Sequence, residues 1–197
     1  MKILVACEMS GVVTRAFRDR GHEAYSCDIL ATLGNPDWHI QRDVTEVLEE
    51  NDVYLWDMLI GFPPCTYLCN SGVRWLYNKD KTLNQSRWKN MREGAEFFRS
   101  LFNSEIPKIC IENPVMHRYA KDIIGETFTQ SVQPWQFGHG YCKRTCLWLK
   151  GLPNLKPSNI VDGRDQLIHK MPPSKDRAIK RSLTPKGLAD AMATQWG

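Results

Sequence analysis

Two short segments hold side chains suited to covalent chemistry. Residues 60–72 read Ile-Gly-Phe-Pro-Pro-Cys-Thr-Tyr-Leu-Cys-Asn-Ser-Gly, and residues 111–114 read Ile-Glu-Asn-Pro. Each follows an apolar run, so Cys65 and Glu112 are expected where two strands of one sheet end, at the same edge. Pro63 and Pro64 fix the backbone and limit where the thiol points. A thiolate is a nucleophile and a carboxylic acid a proton donor. That pair suits one difficult reaction: the thiol adds to C6 of a cytosine ring, the acid protonates N3, and C5 becomes a carbon nucleophile. The acid needs a raised pKa, which burial supplies. The thiol, ordinarily near ~8.5, is helped by a nearby cation or helix N-terminus.

The elements that position these groups alternate. Lys2–Ala6 reads as a strand, followed by Gly11 in a turn and a helical stripe of Val12, Val13, Ala16 and Phe17. Ala24–Cys27 reads as a second strand and His39–Gln41 as a short third. Asp57–Gly61 and Lys108–Glu112 follow, separated by a helix over Gln85–Asn103 with Met91, Ala95, Phe98 and Phe102 on its inner face. Val132–Gln133 and Thr145–Leu149 read as late strands. Short apolar runs alternating with helical stretches predict an α/β fold, a mostly parallel sheet flanked by helices. Prolines at 153, 157, 172 and 173 mark a loop-rich, basic excursion at about 151–182 within one domain spanning 1–197. Thr184 is expected to cap a last helix with Pro185 at its first position.

A second group of residues clusters at the strand ends of the first half. The turn Cys7-Glu8-Met9-Ser10-Gly11 can aim backbone N–H groups at a ligand. Asp28, ending the second strand, sits where nucleotide-binding folds place an acid on ribose hydroxyls. Asp43 can accept from an adenine amino group.

The chain resembles the cytosine-C5 DNA methyltransferases along nearly its whole length. Pro-Pro-Cys65 matches that family's Pro-Cys-Gln, and Glu112-Asn113 its Glu-Asn-Val. Arg181-Ser182-Leu183-Thr184-Pro185-Lys186 is similar to its Arg-x-Leu-Thr-Pro-Arg. Residues 137–145 follow its Tyr-Gly-Val-Pro-Gln-x-Arg-x-Arg loosely, with Lys143 and Thr145 at the two arginine positions and Arg144 between. The resemblance implies a Rossmann-like class I methyltransferase fold with S-adenosylmethionine as cofactor. Cys65 is then the nucleophile, Glu112 the N3 acid, and Asn113 with Lys143 or Arg144 the groups that orient or polarise the base. Cys7, Glu8, Met9, Ser10, Gly11, Asp28, Asp43 and Pro63 become the cofactor contacts. The family's Phe-x-Gly-x-Gly survives only as Gly11. Glu8 stands at a glycine-rich position, where it either repels the methionine carboxylate or accepts from the ammonium.

DNA is the expected partner. Residues 71–92 carry Arg74, Lys79, Lys81, Arg87, Lys89 and Arg92 against Asp80, interleaved with Trp75, Tyr77 and Trp88. Cations bind phosphates, and aromatic rings stack on unpaired bases. An enzyme working on a base ring takes it out of the stack, and this segment is placed to close over it. Residues 164–186 form a second basic region that includes Lys170. About thirty residues separate the eighth and ninth motifs, so a long target sequence is not expected; the chain resembles a small, phage-like form lacking the family's recognition domain.

Composition narrows the field. A net charge of +4 over 197 residues is mild, and seven scattered cysteines suggest reduced thiols in a cytoplasm, bacterial or phage-infected. No run is long enough to span a bilayer. Cys65-x3-Cys69 and Cys142-x3-Cys146 offer four thiolates to a metal, but the spacing is wider than the common zinc knuckle, and no metal is expected. Two further readings stand: the same chemistry on RNA or a free pyrimidine nucleotide, and a non-catalytic nucleic-acid-binding protein on this scaffold.

Overall fold

The computed structural model describes residues 1–50 and 55–197. Among them, seven strands form one sheet: β1 (Lys2–Ala6), β2 (Glu23–Cys27), β3 (His39–Ile40), β4 (Met58–Gly61), β5 (Lys108–Asn113), β6 (Gln130–Val132) and β7 (Thr145–Lys150). Their order is β3-β2-β1-β4-β5-β7-β6. The first five run parallel, and β7 is antiparallel to both β5 and β6.

The sheet is covered on both faces, which is why its central strands are apolar along their length. Ile3 and Val5 point to a layer formed by α1 (Val12–Arg18) and α7 (Lys186–Trp196). Leu4 and Ala6 point to the opposite layer, formed by α2 (Val44–Glu50), α3 (Gln85–Phe102) and α4 (Arg118–Ile124). That alternation is the period-two geometry of a strand. Helix α3 buries Met91, Ala95, Phe98 and Leu101, while Phe102, expected on the inner face, is partly buried at its edge. The Asn84 side chain caps α3 by accepting from Arg87 N.

The register lines up the functional edge. Ile40, Cys27, Ala6, Gly61, Ile111 and Trp148 form one row across six strands. The residues just beyond that row in the parallel strands are Cys7, Asp28, Phe62 and Glu112. Glu8 N donates to Cys27 O at 3.2 Å and Phe62 N to Ala6 O at 3.0 Å, extending the pairing past the strand ends. Sheets of this kind place ligands at the carboxyl edge, next to the point where strand order reverses, here between β1 and β4.

Two expectations are corrected. Helix α7 starts at Lys186 with Pro185 as its cap residue and no side-chain cap, because Thr184 precedes the cap position. The late strand is β6, Gln130–Val132, since Gln133 opens a 3-10 turn at Pro134–Gln136. The excursion at 151–182 carries two short helices, α5 (Leu167–Lys170) and α6 (Arg177–Ser182). No helix of the described residues is long and apolar enough to cross a membrane.

Candidate active site

Cys65 opens a tight turn after β4. Its carbonyl accepts from Leu68 N and Cys69 N, both at 3.1 Å. A 3-10 segment, Asn70–Leu76, follows. This loop is pinned to the segment after β5: Asn70 N donates to Val115 O at 2.9 Å and His117 N to Leu68 O at 3.0 Å. His117 Nδ1 accepts from Ala120 N, so its Nε2 carries the proton and donates to Tyr67 O at 2.9 Å.

Glu112 is the penultimate residue of β5, at intermediate exposure. Burial of its carboxyl pushes its pKa up, against the opposing pull of the Lys143 ammonium and the Thr145 hydroxyl. Glu112 in turn raises the Cys65 thiol electrostatically, so the two groups share one local field. The larger effect on Cys65 comes from its hydrogen bond with the Cys69 thiol, followed by burial, and it holds Cys65 well above an ordinary thiol.

Asn113 is fully buried, and its Nδ2 donates to Pro63 O at 3.0 Å. Its Oδ1 is buried with no partner. A buried carbonyl without a donor is costly, and this one stands out in the segment that follows Glu112. Of the two candidate cations, Lys143 faces Glu112 and donates from Nζ to Leu183 O at 3.2 Å. Arg144 instead donates to Ser131 Oγ at 3.2 Å and lies over the Phe128 ring.

At the other half of the edge, Cys7 and Gly11 both adopt left-handed backbone, with φ of 57° and 68°. A Cβ on Gly11 would lie 3.3 Å from Gly34 Cα, so the corner needs glycine for both conformation and space. Residues 32–34 fold over this corner: Leu33 N and Thr32 Oγ1 donate to Met9 O at 2.7 and 2.9 Å. Cys7 is pushed up to about 12, first by burial and then by Asp28, Cys27 and Asp43, which gather acceptors around it.

Glu8 has partners within the chain itself. It is 3 % exposed, and its carboxylate accepts from Val13 N at 2.6 Å, Thr14 N at 3.2 Å, Thr14 Oγ1 at 2.7 Å and Ser10 Oγ at 3.2 Å. It caps α1 from the preceding loop. Ser10 Oγ donates to Glu8 and accepts from Val12 N at 3.4 Å. Asp28 accepts from Leu30 N at 2.9 Å, and Asp43 caps α2 through Thr45 N and Oγ1. Glu8 engages the Val13 and Thr14 amides, while Asp28 and Asp43 bring carboxylate acceptors to the corner. That set fits the ribose hydroxyls, amino groups and positive sulfonium of S-adenosylmethionine.

The surface cations divide. Arg74 stacks on Trp75 at 4.4 Å, and Trp75 is 52 % exposed. Lys79 and Lys170 are exposed, and Lys89 forms an exposed pair with Glu93. Arg87 does not belong with these: it donates to Thr66 O at 3.1 Å and stacks on Tyr67, bracing the loop that carries Cys65. Trp88 is partly buried against Tyr77 and Tyr119.

All seven cysteines are free, and no cluster of three or more His, Cys, Asp or Glu suited to a metal occurs among the described residues. Sequence reasoning missed Cys69 as a partner of Cys65. The i, i+4 spacing was legible, but nothing in the sequence marked 65–69 as a turn.

The fold is the α/β Rossmann-like fold of methyltransferases. A solved structure described as a DNA modification methyltransferase encoded within an E. coli prophage matches with a TM-score of 0.50 at 14% identity, over 88% of this chain and 56% of that one. The Entamoeba histolytica methyltransferase EhMeth matches with a TM-score of 0.44 at 14% identity, over 88% of this chain and 61% of its own. The chain thus spans about three-fifths of the length of these structures. No protein-family model and no curated protein sequence matches it.

Proposed function

We propose that this chain methylates C5 of cytosine in DNA, with S-adenosylmethionine as donor. One observation carries the reading. The Cys65 thiol and the Glu112 carboxyl, whose pKa burial pushes up, sit within one electrostatic field at the carboxyl edge of adjacent strands. Binding alone needs neither group in that state.

In this reading Cys65 forms a sulfur–carbon bond at C6. The displaced ring electrons reach N3, which takes the Glu112 proton, and C5 becomes nucleophilic. Asn113 ties the Cys65 loop to the Glu112 strand through Pro63 O and so orients the loop against the base. Lys143 stabilises the Glu112 carboxylate once the proton has left. Asp28 and Asp43 receive the cofactor's hydroxyl and amino groups, Pro63 borders it, and the exposed Ile29 offers an apolar face beside Asp28. The bound cofactor supplies an electrophilic methyl group. Arg74, Trp75, Lys79, Lys89 and Lys170 contact the nucleic acid, with Trp75 as the stacking face. The prophage neighbour's description agrees with DNA as substrate class.

The test presents labelled cofactor with duplex DNA, single-stranded DNA, RNA and dCMP in parallel, followed by nucleoside mass spectrometry. Methylcytosine from DNA is expected. Cys65→Ala should abolish turnover while cofactor binding persists, and 5-fluorocytosine DNA should trap an adduct on Cys65. Label only in RNA or dCMP would move the substrate. Turnover by Cys65→Ala would overturn the mechanism.

A further inference from the structure

Three aromatic rings from three segments meet beside the loop that carries Cys65. Tyr77 follows the 3-10 segment, Trp88 lies on α3 and Tyr119 on α4. The Trp88 ring is 4.9 Å from that of Tyr119 and 6.4 Å from that of Tyr77. The two tyrosine hydroxyls close the cluster with a hydrogen bond of 2.8 Å. It adjoins the Cys65 loop through His117, whose ring lies 5.9 Å from that of Tyr119 while its Nε2 donates to Tyr67 O.

Guanidinium groups lie on these rings. Arg92, one turn along α3, sits over Trp88 at 5.7 Å, and Arg118 over Tyr119 at 4.8 Å. Arg118 Nη2 also donates to the Tyr119 hydroxyl at 3.3 Å. Arg74, stacked on Trp75, stands next to Tyr77, whose N–H donates to Arg74 O at 3.4 Å. All three arginines are exposed. None of them reaches a carboxylate within ion-pair distance among the described residues. Elsewhere the pattern differs: Arg42 is held by Glu46 and Glu50, and Arg87 by Thr66 O. Acids of the same segments are already engaged, Asp80 by Thr82 N and Oγ1 and Glu93 by Lys89.

We propose that Arg92 and Arg118 form a phosphate seat that carries the nucleic-acid surface from Trp75 across α3 onto α4, and that the backbone of the strand flanking the target base occupies it. Stacking uses the flat face of a guanidinium and leaves its N–H donors, which lie in its plane, free at the edge. That edge matches two phosphate oxygens at once. The rings hold the two side chains in place, so less freedom is lost when a phosphate arrives. Trp88 and Tyr119 therefore serve as pedestals for cations, and Trp75 is left as the face for a base. Several unneutralised guanidiniums on one surface call for a polyanion rather than a single carboxylate. A strand whose base stands at Cys65 runs its neighbouring phosphates past the elements that flank that loop, and α3 and α4 are two of them. The inference rests on the nucleic-acid substrate proposed above and adds the direction in which the strand leaves the site.

The experiment reads binding rather than turnover. Anisotropy of a fluorescein-labelled oligonucleotide, duplex and single-stranded, is followed across a KCl series. The proteins are wild type, Arg92→Gln, Arg118→Gln, the double Gln variant, a double Arg92→Lys/Arg118→Lys variant, and Arg15→Gln on α1 in the opposite layer. Each Gln substitution should weaken binding roughly tenfold or more at fixed salt. It should also flatten the salt slope by about 0.9 on duplex or about 0.7 on single strand, and the double variant by about twice that. The Lys variant should keep the slope but bind more weakly, because an ammonium keeps the charge and loses the stacked fork. Arg15→Gln should bind as wild type, and all thermal midpoints should stay in place, since neither seat arginine bonds the backbone. Gln variants with the wild-type slope would overturn the proposal. An equal loss in Arg15→Gln would overturn it too, as would displacement of the oligonucleotide by polyglutamate at matched charge. If the Gln variants fail to fold, a Lys variant that binds as wild type would overturn it equally. Slopes that fall as expected in a protein that makes no methylcytosine would refute the function and leave the seat standing. Methylcytosine with unmoved slopes would refute the seat alone.

Discussion

Asn113 Nδ2 donates to the Pro63 carbonyl at 3.0 Å, so one buried side chain joins the loop bearing Cys65 to the strand bearing Glu112. The bond ties the loop after β4 to β5. Asn113→Leu would leave Pro63 O without its donor inside the protein. A loss of about 1–3 kcal/mol is expected, read as a lower urea midpoint. Unchanged stability would show that the link is dispensable.

Glu112 makes stability depend on pH in a defined direction. Its folded pKa is raised by burial, so the folded state binds more protons than the unfolded state from the ordinary value of 4.5 upward to the raised one. Stability therefore falls as pH rises through that window and then levels off. Glu112→Gln should be less sensitive over the same range, its advantage over wild type growing with pH. Urea titrations across a pH series read this, and parallel curves for the two proteins would contradict it.

The cations near the Cys65 loop should separate by assay. Arg87→Ala should lower thermal stability, because it removes the brace on Thr66 O. Lys79→Ala should leave stability unchanged and reduce the salt slope of DNA binding by about one. Trp75→Ala should weaken single-stranded DNA binding by about 1–3 kcal/mol without destabilising the fold. Equal behaviour of all three would dissolve the distinction.

Two glycines offer a contrast in packing. A Cβ on Gly187 would meet Phe137 O, a backbone atom, at an impossible separation, so Gly187→Ala must displace α7 from the segment carrying His139. At Gly61 the nearest atom would be Ile111 Cδ1 at 2.8 Å, the far end of a flexible side chain. Gly187→Ala is expected to cost more than the ~1–3 kcal/mol typical of overpacking, and Gly61→Ala less. Comparable thermal midpoints would refute the contrast.

The sequence was most legible where burial and period agree. Strands β1, β2, β4 and β5 were found within a residue at either end because their apolar runs are buried on both faces. Positions at strand ends followed from that, which is why Cys65 and Glu112 could be assigned to one edge. Helices α2 and α4 were not anticipated, being short helices of seven residues each whose caps, Asp43 and His117, look like ordinary loop residues. The Cys65–Cys69 contact and the engagement of Glu8 with α1 were hidden for another reason: each depends on the path of an irregular loop, which hydrophobic period does not encode. The bracing by Arg87 was not legible, because a basic residue looks the same in sequence whether it faces solvent or holds the backbone.

The capping of α1 by Glu8 reaches beyond that helix. Many proteins on related sheets leave the first amides of this helix open and use them to grip a pyrophosphate. Here the chain has filled that place with one of its own side chains, and the Val13 and Thr14 amides are taken. A phosphate approaching the start of this helix would meet a buried carboxylate in place of those two amides, so the helix end cannot serve as the anion seat it forms elsewhere.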